Sequence, residues 1–138
     1  MNALERQQPE VEVEGVVRGV VAEALALELE RVQLDSVLME GLGAESLDFL
    51  DIVFKLERAF GIQITRGEME RAARGDMAEA DFAPDGVISE RGLARLRELM
   101  PEAADRIQPG LRPVQILSLF SVRTFANLVN GKREGRSA

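Results

Sequence analysis

The spacing of apolar residues in the first part of the chain constrains the fold more than any other feature. Apolar side chains recur at steps of three and four residues between positions 9 and 29, which is the period of one face of an α-helix. The residues of this stripe are Val13, Val16, Val17, Val20, Val21, Ala24, Leu25 and Leu29. Neither the alternating pattern of a half-buried strand nor an internal repeat occurs along the chain. The sequence therefore predicts a helix over residues 9–29 and an all-α fold, a small helical bundle.

Glycine, proline and capping residues predict where the further elements begin and end. Between residues 30 and 45 the apolar residues lose helical spacing, and Gly41 and Gly43 interrupt it, which predicts a long loop. A second helix is predicted over residues 46–60, with Gly61 as its C-terminal cap. The remaining predicted elements are a short helix over 67–74, a loop over 75–86, a helix capped by Ser89 and stopped by Pro101, a loop over 101–113, segments over 114–120 and 122–129, and a stop at Asn130-Gly131.

The composition excludes several classes of enzyme. The chain of 138 residues contains no His and no Cys, so it cannot hold a Ser-His-Asp triad, a thiolate nucleophile or an imidazole metal site, and we expect no metal. The net charge is -7, and residues 1–64 carry 13 acids against 5 bases. Such a surface repels phosphate backbones and attracts basic protein surfaces. The sequence therefore predicts protein partners and no binding of nucleic acid.

The sequence also predicts where the protein resides. No stretch is both apolar and long enough for a membrane span, and the first residues lack the apolar run of a secretory signal. We therefore expect a cytoplasmic protein. The density of solvated charge favours a monomer.

The second predicted helix has a wide apolar surface. Asp48 and Asp51 lie on its polar side, and apolar residues cover most of the remaining circumference. A small domain cannot bury that much of one helix completely. We therefore expect Leu47 and Phe54, beside the acids, to remain available to a partner.

Two blocks of sequence mark the start and the end of this helix. The first is Leu42-Gly43-Ala44-Glu45-Ser46-Leu47-Asp48, and the second is formed by Leu56, Glu57, Phe60, Gly61 and Ile62. Together they resemble the acyl carrier protein family, in which a Gly-x-Asp-Ser-Leu motif opens the second helix. The resemblance implies a bacterial carrier without enzymatic activity. In it Ser46 receives 4′-phosphopantetheine from coenzyme A through a separate transferase, with Gly43 and Leu47 as neighbours of the attachment site.

Physical chemistry supports this role for Ser46. A hydroxyl in the first turn of a helix places an attached phosphodiester against unpaired backbone N–H groups and the positive end of the helix dipole. Gly43 permits a tight turn of the preceding loop and leaves the entrance to Ser46 open. The alternative interpretation is that Ser46 only caps the helix. A capping box built on Ser46 would need Glu or Gln at position 49, where Phe stands.

The resemblance further implies a surface for partner recognition. In the family, carboxylates meet Lys and Arg patches on the holo-carrier-protein synthase (the phosphopantetheinyl transferase), on acyl synthases and on acyltransferases. The matching acids are Glu45, Asp48, Asp51 and Glu57. Leu47 and Phe54 match apolar contact positions of the family. Two departures, Glu45 in place of the usual Asp and Arg58 at a commonly acidic position, predict poor binding to generic fatty-acid-synthase partners.

The resemblance covers residues 9–64 and the last helix at 121–130. We expect a single domain over 1–138, with residues 66–112 as a helical segment inserted between the second and last helices and 131–138 as a flexible tail. The chain resembles long, specialised carriers. This resemblance implies that it holds acyl groups as thioesters for fatty-acid or specialised lipid biosynthesis, including very long or unusual chains. The insertion either shields a longer chain or docks a partner. Alternative functions are a carrier of polyketide or aminoacyl intermediates and an unmodified acidic helical adaptor that binds basic protein surfaces.

Overall fold

The computed structural model describes residues 9–65, 74–75 and 77–133. Within them the regular structure is helical, apart from an isolated antiparallel bridge between Val37 and Ser121, so the all-α prediction is confirmed. The described α-helices are α1 (Pro9–Leu25), α2 (Leu38–Leu42), α3 (Ser46–Phe60), α4 (Glu79–Phe82), α5 (Glu90–Leu99) and α6 (Val122–Arg133). The described 3₁₀ helices are Leu29–Arg31, Pro101–Arg106 and Pro113–Leu119.

Helix α1 packs against both α3 and α6, and the three helices enclose the main core. Their fully buried side chains include Val13, Val17, Val21, Ile52, Leu56, Val122, Phe125 and Val129. Most of the stripe predicted for the first helix thus faces the core. Val16 and Leu29 are exposed, contrary to that prediction. Leu29 lies beyond the end of α1, so it no longer follows the helical face.

Helix α1 ends at Leu25, so the prediction that it continues to residue 29 is wrong. Ala26 has a left-handed backbone with φ 55°. Its N–H donates to the Glu23 carbonyl at 3.2 Å, and the Leu27 N–H donates to the Ala22 carbonyl at 2.9 Å. These two bonds form a Schellman cap. Apolar spacing does not reveal such a cap when alanine rather than glycine takes the left-handed position.

The segment over residues 30–45, predicted to be a loop, contains α2. Leu38 is fully buried, and its N–H donates to the Phe120 carbonyl at 3.0 Å, which ties α2 to the segment before α6. Gly41 lies inside α2 and does not break it. An exposed glycine costs a helix about 1 kcal/mol. Burying a leucine stabilises by about 2 kcal/mol, so the burial of Leu38 outweighs the cost of Gly41 in the helix.

The predicted helix after Ser89 is confirmed as α5. The Ser89 Oγ accepts a hydrogen bond from the Gly92 N–H at 3.0 Å and donates to the Asp81 carbonyl at 2.8 Å. The helix ends at Leu99, shortly before Pro101, as predicted. The hydroxyl therefore both caps α5 and holds α4 beside it.

Two other predictions for this part of the chain are wrong in detail. The loop predicted over 75–86 contains α4, and the loop predicted over 101–113 contains the 3₁₀ helix Pro101–Arg106. Elements this short show no measurable period in the sequence. The helix predicted over 67–74 lies outside the described residues, except for Arg74.

The segment over residues 77–112 packs into the core formed by α1, α3 and α6. Its buried apolar side chains, Phe82, Ile88, Leu93, Leu96, Met100, Ala103 and Ile107, belong to the same cluster as those of α1, α3 and α6. Two polar contacts join it to the end of the chain. The Thr124 hydroxyl donates to Glu102 Oε2 at 2.7 Å, and Arg106 Nη2 donates to the Leu119 carbonyl at 2.7 Å.

Helix α6 continues to Arg133, so the stop predicted at Asn130-Gly131 is wrong. The Arg133 guanidinium lies 5.6 Å from the centre of the Phe60 ring, and basic residues in a last turn complement the helix dipole. Residues 131–133 are thus helical rather than part of a tail, and 134–138 lie outside the described residues. The preceding segment, predicted over 114–120, is the 3₁₀ helix Pro113–Leu119.

Candidate functional site

A tight turn between α2 and α3 positions the candidate serine. Gly43 ends α2 with φ 75°, in the region where glycine carries no steric penalty. Ala44 is buried, and its N–H donates to the Leu38 carbonyl at 2.9 Å. The turn therefore fixes the backbone immediately before Ser46, as expected for Gly43.

Helix α3 begins at Ser46 and ends at Phe60, with Gly61 left-handed at its cap, which confirms the predicted bounds. Its N-cap is Glu45 rather than Ser46. Asp48 Oδ2 accepts from the Glu45 N–H at 2.8 Å, so Asp48 closes a capping interaction on the residue before the serine. The alternative in which Ser46 only caps the helix is therefore wrong, because the cap is shifted by one position.

The Ser46 side chain is exposed as the first residue of α3. Within the described part of the chain its hydroxyl makes no hydrogen bond. A group esterified to this oxygen would lie at the amino-terminal end of a 15-residue helix, where backbone N–H groups favour an anion. The geometry thus leaves the hydroxyl both reachable and suited to a phosphodiester.

Ser46 also lies at an apolar cleft of about 610 Å³. The cleft is lined by Ser46, Phe49, Leu50, Val53, Ile64, Arg74, Glu79, Phe82, Pro113, Val114, Ile116, Leu117 and Phe120. A cleft of this size, mostly apolar with a few polar groups, is typical of a small-molecule site. Its described lining comes from α3, from α4 and Arg74 before it, and from the 3₁₀ helix before α6.

Aromatic contacts support one wall of the cleft. The ring centres of Phe49 and Phe120 are 5.9 Å apart in an edge-to-face arrangement. Both rings also contact Phe125, at 5.8 Å and 5.4 Å respectively. This buried cluster fixes the wall against the core, since aromatic pairs in such geometries stabilise each other beyond their burial.

The predicted partner acids differ in their surroundings. Glu45 and Asp51 are exposed on the surface beside Ser46, and Asp51 pairs with Lys55 at 3.8 Å. The carboxylate of Asp48 takes part in the cap, as described above. Glu57 is half-buried, and its Oε2 accepts from the Ile64 N–H at 2.8 Å. The local geometry therefore gives Asp48 and Glu57 structural contacts, whereas Glu45 and Asp51 face solvent.

The predicted exposure of apolar residues on α3 is confirmed. Leu47 is 74% exposed and Phe54 is 56% exposed, and Leu50 between them is 68% exposed. Sequence reasoning assigned no surface role to Leu50, although its position three residues from Leu47 on the helix could have indicated one. The Arg58 guanidinium lies 5.8 Å from the centre of the Phe54 ring. Leu47, Leu50 and Phe54 form an exposed apolar strip next to the acids.

Other lining residues of the cleft have no signal in the sequence. Phe82 is buried at the end of α4, and Val114 is 77% exposed on the 3₁₀ helix before α6. These residues are far from Ser46 along the chain, so only the fold brings them to one cleft. Within the described residues no cluster of three or more potential metal ligands occurs. None of the helices described is long and apolar enough to cross a membrane.

Comparison with known proteins identifies the family. The family described as "Phosphopantetheine attachment site" matches residues 15–73. The acyl carrier protein of Campylobacter hominis is 44% identical over 61 residues, which cover 44% of this chain and 77% of the relative. That of Campylobacter concisus is 42% identical over 55 residues, covering 40% of this chain and 71% of the relative. No solved structure gives a significant match. The chain therefore belongs to the acyl carrier protein family, whose members are carriers rather than enzymes and bear a 4′-phosphopantetheine prosthetic group.

Proposed function

We propose that Ser46 carries the phosphopantetheine arm and that the terminal thiol of the arm holds acyl groups as thioesters. The observation that carries the proposal is the exposed, unpartnered hydroxyl at the first residue of α3. The attached phosphodiester is anionic, and the amino-terminal turn of α3 offers it backbone N–H groups and a favourable dipole. Gly43 keeps the preceding turn compact, and the exposed Leu47 lies next to the attachment point.

Attachment requires no catalytic group from this chain. The serine is the substrate of a separate phosphopantetheinyl transferase, so the absence of His and Cys is compatible with the role. The chemistry of thioester formation and transfer belongs to the arm and to the partner enzymes. The residues of this chain hold the arm in position and present its cargo.

The surface around Ser46 suits basic partners. Glu45 and Asp51 are exposed beside the apolar strip of Leu47, Leu50 and Phe54. A partner with a Lys and Arg rim around an apolar centre complements such a surface. The partners proposed are the transferase, acyl synthases and acyltransferases, acting in the cytoplasm on this carrier as a monomer. Asp48 and Glu57, whose carboxylates also make intramolecular contacts, contribute negative charge to the same helix.

The size and lining of the cleft support a long acyl cargo. The cleft has a volume of about 610 Å³ and a mostly apolar lining, which suits it to shield part of a long acyl chain. The inserted segment supplies part of the wall through Phe82. We therefore favour long acyl chains of fatty-acid or specialised lipid biosynthesis, shielded within a single domain that includes the insertion.

Enzymatic loading tests the attachment site. The protein is incubated with coenzyme A and a broad-specificity phosphopantetheinyl transferase, and its intact mass is measured. Wild type and Ser36→Ala are expected to gain one phosphopantetheine group, whereas Ser46→Ala gains none. Ser36 is the matched control because it is a nearby serine in the segment between α1 and α2, and its hydroxyl accepts from the Gln33 N–H. Absence of a mass gain in wild type contradicts the proposal and favours the unmodified adaptor.

Melting of acylated forms tests the shielding role of the cleft. Each buried methylene contributes about 0.8 kcal/mol, so about four additional buried methylenes contribute about 3 kcal/mol. For a chain of this size that raises Tm by about 10 °C. The hexadecanoyl form is therefore expected to melt well above the octanoyl form. Equal melting temperatures contradict shielding and favour an insertion that docks a partner.

A further inference from the structure

The apolar cleft beside Ser46 contains charged side chains from the inserted segment. Among the described residues that line it, Arg74 and Glu79 carry a full charge. The other described lining residues, apart from Ser46, are apolar. In a site of this kind the few polar groups fix the orientation of the ligand. A purely hydrocarbon cargo has no group that the Arg74 guanidinium could bind.

Arg74 differs from the other half-buried arginines of the described chain. Those arginines bind a carbonyl or a carboxylate: Arg18 to Val32, Arg95 to Glu98, Arg97 to Ile107, Arg106 to Leu119 and Arg123 to Asp35. Within the described residues the Arg74 guanidinium has no hydrogen-bond or ion-pair partner. Partial burial of a charge without a partner is unfavourable. The guanidinium is therefore available to bind an oxyanion in the cleft.

The charge balance around the cleft strengthens this assignment. Glu79 lines the cleft, and Glu45 and Asp51 are exposed on the helix that begins at Ser46. These carboxylates repel an anion that enters the cleft. In the described part of the lining, Arg74 is the cation that can offset them, and a guanidinium binds phosphate or carboxylate oxygens through two parallel hydrogen bonds.

We propose that Arg74 binds an oxyanion that Ser46 delivers to the cleft, either the phosphodiester of the arm or a carboxylate on the acyl cargo. The proposal rests on the attachment of the arm to Ser46. Both residues line one cleft, so the tethered group and the guanidinium share a confined space. In this role the inserted segment selects or orients the arm and its cargo through the charge of Arg74. It also encloses an apolar chain.

Thermal melting of loaded forms distinguishes the two anions. The apo, holo, octanoyl and suberoyl forms are prepared, the last two having chains of equal length that end in a methyl group and a carboxylate. Variants are Arg74→Gln, Arg74→Lys and the control Arg91→Gln, whose side chain is exposed on α5 and does not line the cleft. Intact mass verifies loading at each step.

If the phosphodiester is the anion, conversion from apo to holo protein raises Tm by about 4 °C in wild type, and Arg74→Gln reduces the rise to the part that the amino terminus of α3 supplies. If the cargo carboxylate is the anion, the suberoyl form melts above the octanoyl form by a similar margin, and Arg74→Gln abolishes that difference. In either case Arg74→Lys retains part of the effect, because it keeps the charge without the paired donors, and Arg91→Gln retains all of it.

The proposal is overturned if Arg74→Gln and Arg91→Gln change the Tm of every form equally. It is also overturned if the Tm of no loaded form depends on the residue at position 74. That outcome, with a normal mass gain at Ser46, leaves the proposed carrier function intact. Absence of any mass gain contradicts the carrier function and this proposal together.

Discussion

Replacement of Ala26 by glycine is expected to stabilise the protein. Ala26 adopts φ 55° in the cap that ends α1, a conformation that costs an L-residue about 1–2 kcal/mol. Glycine removes that strain but gains freedom in the unfolded chain, which costs about 0.4–1 kcal/mol. The lost methyl group is exposed and contributes little. The net gain in the free energy of unfolding is therefore about 1 kcal/mol, or a rise in Tm of about 4 °C.

The assay is urea denaturation and thermal melting of wild type, Ala26→Gly and Ala94→Gly. Ala94 is the matched control, since it is exposed in the middle of α5, where glycine is expected to destabilise by about 1 kcal/mol. The same chemical change should thus act with opposite sign at the two positions. Destabilisation by both variants to a similar degree would refute the left-handed cap at Ala26.

Three further predictions concern caps and core. Ser89→Ala removes the acceptor for the Gly92 N–H and the donor to the Asp81 carbonyl, and is expected to lower stability by about 1–2 kcal/mol in urea denaturation. Ser46→Ala, at a residue that is not the cap, is expected to change stability by less than about 0.5 kcal/mol, and a loss as large as that at Ser89 would show that Ser46 caps α3 after all. Phe125→Ala empties the centre of the three-ring cluster and is expected to cost about 3–5 kcal/mol, measured in the same way, whereas a loss below about 1 kcal/mol would contradict its burial.

The parts of the fold that follow from local chemistry could be predicted from the sequence. Helix α3 has the predicted bounds because Gly61 can adopt the left-handed cap and because the residues between follow one helical pattern. The start of α5 was predictable from Ser89, whose hydroxyl caps it. In both cases a single residue determines the boundary, so no tertiary information is needed.

Features that depend on distant contacts could not be predicted. Helix α2 forms around Gly41 because Leu38 is buried and bonded to Phe120, a residue far along the chain. The cap of α3 at Glu45 is a local feature, but a capping box sought from Ser46 to position 49 does not detect it, because Asp48 closes it. The cleft combines Ser46 with residues as distant as Val114, which no spacing rule connects.

Localisation of the prosthetic group tests the central claim most directly. Cleavage after Arg31 and Lys55 releases a peptide of residues 32–55 that contains two serines, Ser36 and Ser46. Fragmentation of this peptide from enzymatically loaded protein assigns the added phosphopantetheine to one of them. We expect the group on Ser46 alone. A loaded peptide with the group on Ser36, or a modified residue elsewhere in the chain, would contradict this expectation.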